Sequence, residues 1–144
     1  MKKFKYKGSC HCQNISLELE IRSLLNSYLP RACDCSFCTK HNAAYLSDNS
    51  GSIIITVRNR QDLQQYQYGD KLAKFLFCKT CGILIGVGYR DRELYFAVNS
   101  NTLDEHHSLG ARTIVSPKML GKQEKIARWK NAWFDRVTIE GFSL

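Results

Sequence analysis

A chain of 144 residues, 44% hydrophobic and 24% charged, has the composition of one globular domain over residues 1–144 and excludes the disordered and fibrous classes. A domain of this length buries roughly 68–70% of its unfolded surface, so neither metal nor disulfides are needed merely to build a core. The formal net charge is +8, but the basic residues Lys40, Arg58, Arg60, Lys71, Lys74, Lys79, Arg90 and Arg92 lie in different segments, with no compact run beyond the first seven residues. That distribution describes a solvated basic surface rather than a nucleic-acid face.

The start, "MKKFKYKGSCHCQN", is basic but is not followed by the apolar stretch of a secretory signal. No segment anywhere reaches the ~18–20 apolar residues of a membrane span. The expectation is a cytoplasmic protein with no membrane association, in which the seven cysteines stay reduced. In "NISLELEIR", Ile15, Leu17, Leu19 and Ile21 alternate with Ser16, Glu18, Glu20 and Arg22, the period of a half-buried strand. The runs "SIIITV" (52–57), "LAKFLFC" (72–78), "GILIGVGYR" (82–90) and "ELYFAVNS" (93–100) are short, β-branched or aromatic, and bounded by turn formers. They read as strands of antiparallel sheets. "GVGYRD" lacks the third glycine and following helix of a dinucleotide loop. The histidines His106 and His107 read as exposed loop residues, and His11 is treated with the same caution. The best helical signal is "KQEKIARWKNAWF" (122–134), where Ile126, Trp129, Trp133 and Phe134 fall near one stripe over a turn or two. "VTIEGF" (137–142) reads as a last strand, so the fold class is mainly β with at most short helices.

The cysteines form three groups: Cys10 and Cys12 in "GSCHCQ", Cys33, Cys35 and Cys38 in "CDCSFC", and Cys78 and Cys81 in "FCKTCGI". Zinc with Zn–S bonds near ~2.3 Å holds neighbouring sulfurs roughly 3.8 Å apart, which requires donors in closely spaced pairs. Extended CxC projects both side chains to one side. The CxxC knuckle curls two thiolates around an ion, and Gly82 follows where the turn calls for positive φ. Cys10, Cys12, Cys78 and Cys81 together make a closed, structural four-cysteine site. The remaining Cys33, Cys35 and Cys38 give three protein donors and one exchangeable position, the pattern of catalytic zinc. Three other readings of this triplet stay open: His41 as a fourth ligand, a redox pair in Cys35-Ser36-Phe37-Cys38, and empty thiols. For the two pairs the other reading is buried free cysteine. Asp34, between two ligands, sets the turn or tunes the shell. Tyr45, Tyr66, Tyr68, Trp129 and Trp133 read as core packing ahead of pocket walls.

At "GSCHCQ", "CDCSFCTK" and "FCKTCGI", in that order, the sequence resembles the glutathione-dependent formaldehyde-activating enzymes and their centromere protein V relatives, across about residues 8 to 100. "VNSNTLD" (98–104) is similar to the family's strand and turn after the last knuckle. The resemblance implies several coiled antiparallel sheets of the Mss4-like zinc fold, with structural zinc on Cys10, Cys12, Cys78 and Cys81 and catalytic zinc on Cys33, Cys35 and Cys38. It also implies a carbon–sulfur lyase activity that joins glutathione, a small-molecule thiol partner, to formaldehyde as S-hydroxymethylglutathione. A non-catalytic zinc module that binds protein or nucleic acid is the competing function. Gln13 departs from the family, which usually has glycine there.

Overall fold

The computed structural model describes residues 2–144. In chain order the elements are β1 (Phe4–Ser9), β2 (Ile15–Ile21), β3 (Arg31–Cys33), α1 (Ser36–Lys40), β4 (Tyr45–Leu46), β5 (Ser52–Val57), β6 (Leu63–Tyr66), β7 (Lys74–Cys78), β8 (Leu84–Arg90), β9 (Leu94–Asn99), β10 (Thr113–Val115), α2 (Lys122–Ala132) and β11 (Val137–Glu140). They form a four-stranded sheet, β1-β2-β5-β11, and a seven-stranded sheet, β10-β3-β4-β9-β8-β7-β6. The mainly β class and the short helices agree with the sequence pattern. Two pairings, β10 with β3 and β11 with β5, are parallel. Both join segments more than eighty residues apart, which strand periodicity does not report. No helix among the described residues is long and apolar enough to cross a membrane.

The alternation in β2 does what its period requires: Ile15, Leu17, Leu19 and Ile21 are all buried, each contributing about 1.5–3 kcal/mol of burial. They meet Ile53 and Ile55 of β5 and, from the second sheet, Leu76, Ile85, Phe96 and Val98. The larger sheet is covered on its other side as well. On β9, Phe96 and Val98 enter that first core while Ala97 between them joins a second cluster with Cys38, Tyr45, Phe75, Val87, Trp129 and Trp133. Gly86 of β8 permits this packing, because a Cβ there would meet the Phe96 ring at 2.6 Å and collide with the Ala97 carbonyl.

Helix α2 closes the second cluster from outside. It runs three turns, longer than the turn or two expected, and two ion pairs pin it to loops of the larger sheet: Lys125 Nζ to Asp70 at 2.8 Å and Lys130 Nζ to Asp91 at 2.7 Å. The Trp129 and Trp133 rings stack at 5.0 Å on its inner side. The architecture therefore has two apolar compartments, one between the sheets and one between the larger sheet and the helices.

Candidate metal centre

The seven cysteines gather into two groups, Cys10–Cys12–Cys78–Cys81 and Cys33–Cys35–Cys38, each with its sulfurs within 4.8 Å of one another. The first group lies where the β1–β2 turn meets the β7–β8 hairpin, and so bridges the two sheets. Cys10 Sγ is 3.6 Å from Cys12 Sγ, which is 3.6 Å from Cys78 Sγ, close to the edge of a tetrahedron around a thiolate-bound zinc ion. The chain curls as a knuckle on both sides. The Gly82 N–H donates to Cys78 O at 2.8 Å, with Gly82 at φ 77° as expected, and the Ile15 N–H donates to Cys10 Sγ at 3.3 Å. Gln13, which donates from its N–H to Cys10 O, is also left-handed, at φ 66°. The residue that replaces the family's glycine thus sits where a glycine is favoured.

Electrostatics separates the members of this group. Burial pushes the Cys78 thiol up to about 12. Burial acts against ionisation at Cys81 too, but hydrogen bonds from the backbone of Cys12 and Ile83 outweigh it and bring that thiol down to about 6. Such N–H donors stabilise thiolate, the form a metal binds.

The second group is built from one short stretch. Cys33 ends β3, Cys35 caps α1 with its sulfur accepting the Cys38 N–H at 3.3 Å, and Cys38 lies buried inside the helix. The neighbouring Cys33 and Cys38 thiols hold Cys35 far below the usual thiol range, while Cys33 and Cys35, followed by burial, push Cys38 far above it. Three sulfurs crowded this closely ionise together only with a cation among them, and a divalent metal ion is the natural counter-ion. The donor set fits a metal, as does that of the first group.

His41 is not among the gathered donors. It caps the C-terminus of α1, is exposed, and packs its ring on Phe37 at 4.6 Å. His11, His106 and His107 are exposed as well. Asp34 acts on the chain around the triad: its N–H donates to Val115 O at 3.0 Å and its carboxylate accepts from Ser116 Oγ at 2.5 Å and faces Lys118 Nζ at 3.8 Å. It thereby ties residues 115–118 to the stretch that carries the triad.

The second group opens on a cavity of about 450 Å³ whose wall includes Cys33, Cys35 and Cys38. Tyr45, Tyr68, Trp129 and Trp133 line it, so these rings are pocket walls as well as core, a correction to the packing role read from sequence. Tyr66 is outside this lining, 45% exposed and stacked on Phe37. The Tyr45 hydroxyl is 3.2 Å from Cys38 Sγ. Burial is the main cause that drives its pKa far up, so it stays a hydroxyl that can donate once Cys38 is a thiolate. Arg31, Asp70, Lys118, Lys125 and Arg128 also reach the wall, and none of these stood out in the sequence. Arg31 had a signal: in an extended "RAC" it must share a face with Cys33.

The chain matches the family described as glutathione-dependent formaldehyde-activating enzyme over residues 5–118. It belongs to that family. A crystal structure of a Rhodobacter sphaeroides protein is similar to it at 32% sequence identity and a TM-score of 0.52, covering 81% of this chain and 95% of that one. No curated protein matches the chain significantly. The family match takes in both cysteine groups and β10, but not α2, which supplies Lys125, Arg128 and Trp129 to the cavity, with Trp133 at its C-terminal cap.

Proposed function

We propose that the cavity at Cys33, Cys35 and Cys38 is the active site of a zinc-dependent carbon–sulfur lyase that forms or cleaves an S-hydroxymethyl adduct between a glutathione-type thiol and formaldehyde or a small aldehyde. The observation that carries this reading is the three-sulfur group facing a cavity of about 450 Å³ with no fourth protein donor gathered to it among the described residues. In the forward direction the S–C bond forms, the carbonyl becomes a hydroxyl, and the thiol proton ends on its oxygen. No electron acceptor or further reactant is required.

A zinc ion on the three sulfurs would hold the incoming sulfur as thiolate at neutral pH and polarise the carbonyl. The chain's own residues do the rest. Tyr45, by donating to Cys38 Sγ, draws charge from that ligand and offsets the excess of three thiolates. Trp129, Trp133, Phe75 and Val87 give the cavity its apolar wall and keep bulk water from a reversible adduct. Tyr68, on the same wall, hydrogen-bonds Cys35 and draws charge from that ligand as Tyr45 does from Cys38.

The test is adduct formation from glutathione and formaldehyde, followed by NMR exchange spectroscopy, with metal content measured in the same samples. Wild type should hold two zinc ions and accelerate the exchange, while Cys35→Ser should hold one and not accelerate it. Equal rates with and without wild-type protein would end the lyase reading and leave a zinc module that binds a macromolecule.

A further inference from the structure

Two cations in the cavity wall have no carboxylate partner among the described residues. Of the four that line it, Lys125 is paired with Asp70 and Lys118 faces Asp34. Arg31 and Arg128 lie within salt-bridge reach of no carboxylate among the described residues, although both line the cavity. Both line the same cavity, Arg31 from β3 and Arg128 from α2. Holding two like charges together in a half-apolar cavity is costly unless an anion comes between them.

The backbone aims Arg31 at the site. It is two residues before Cys33 on β3, so both side chains leave the same face, about 6.6 Å apart along the strand. It is also opposite Tyr45 in the antiparallel β3–β4 register, which puts that ring on the same face too. The Arg31 Nη2 donates to Ser47 Oγ at 2.6 Å, and Ser47 Oγ donates to Ala132 O at 2.8 Å at the end of α2. That chain fixes the guanidinium through one donor and leaves the rest of its five-donor fork free. Arg128 comes from α2, one residue before Trp129. With three thiolates and one divalent ion the triad carries a single negative charge, so the two guanidiniums exceed it by one.

We infer that Arg31 and Arg128 form an anion subsite that recognises a carboxylate carried by the thiol substrate, positioning its sulfur over Cys33, Cys35 and Cys38. This rests on the reading of the cavity as a site for a glutathione-type thiol and adds the two residues that would hold a carboxylate of that thiol and so select against a neutral or cationic one. The planar fork of arginine matches carboxylate with two parallel hydrogen bonds, a match that lysine does not make.

The experiment is calorimetric binding of S-methylglutathione and of its dimethyl ester to the zinc-loaded full chain, as wild type, Arg31→Gln, Arg128→Gln and Arg31→Lys. The methylated sulfur removes thiolate chemistry, so binding is read apart from turnover. The acid should bind wild type at least about tenfold more tightly than either glutamine variant, the loss of one charge-assisted contact. The diester should bind all four proteins equally weakly, and Arg31→Lys should recover only part of the loss. Overturning results are no binding of the acid by wild type, equal binding by Arg128→Gln, or a diester as tight as the acid. Arg128 is on the helix wall, so its variant decides the matter even if Arg31→Gln fails to fold. Turnover with unchanged binding in the variants would remove the subsite and leave the lyase, whereas arginine-dependent binding without turnover would do the reverse.

Discussion

Two groups of cysteine thiols in one chain place the same donor atom in opposite surroundings. In the group of four, every sulfur has three others for neighbours, and two of them, Cys10 and Cys78, are 1% and 0% exposed in the core between the sheets. Its donors come from two turns that the sequence separates by 66 residues and the fold brings to 3.6 Å. In the group of three, all donors come from one turn, and the remaining side is a cavity walled by aromatic rings and cations. Donor type therefore does not decide the role. On the proposed reading, the role follows from whether the protein or the solvent supplies the last neighbour, and whether the donors join distant parts of the chain or come from one.

The comparison breaks most sharply under loss of one sulfur from each group. Cys78→Ser should abolish cooperative thermal unfolding, because structural zinc binding contributes on the order of 10 kcal/mol, comparable to a domain's whole stability. Survival of a sharp melt with one metal missing would show that the sheets hold together unaided. Cys35→Ser should keep its fold, lose one metal ion by mass spectrometry and lose at least about a hundredfold in adduct formation. An unfolded Cys35→Ser would make the triad structural and erase the contrast. A smaller effect is expected of Tyr45→Phe, which removes only the donor to Cys38: about tenfold weaker metal retention against a chelator at the triad, with the four-sulfur group unchanged. Gln13→Gly acts on the first group alone. It relieves a left-handed glutamine and should raise stability by about 1 kcal/mol, seen as a melting shift of about 3 °C with metal content constant.

What the sequence made legible was local. The period of two in Ile15–Ile21 and the CxC and CxxC spacings are properties of neighbouring residues, and each reappears in the structure as a strand or a sulfur cluster. The parallel pairing of β10 with β3 was not legible, because Thr113–Val115 is a three-residue strand whose partner lies eighty residues earlier. Asp34 is the residue that connects these segments, yet nothing next to it in sequence reveals Ser116 or Lys118. The tryptophans at the C-terminal end of α2 show a different limit. Trp129 and Trp133 are 9% and 7% exposed and also line the cavity, so a hydrophobic stripe predicts their burial correctly and still misses their service to the site. Arg31 was hidden among 21 basic residues until its strand and register were known.

The separation of the donors along the chain also has a temporal side. The triad is complete once Cys38 has been made, whereas the four-sulfur group must wait for Cys81. At about 5–20 residues per second, the intervening stretch takes roughly 2–9 s to synthesise. During that interval the nascent chain already presents three closely spaced thiols to the cell's metal supply, while Cys10 and Cys12 have only each other. The donors of the site proposed to meet substrate are therefore complete first, and those that tie the two sheets are complete second.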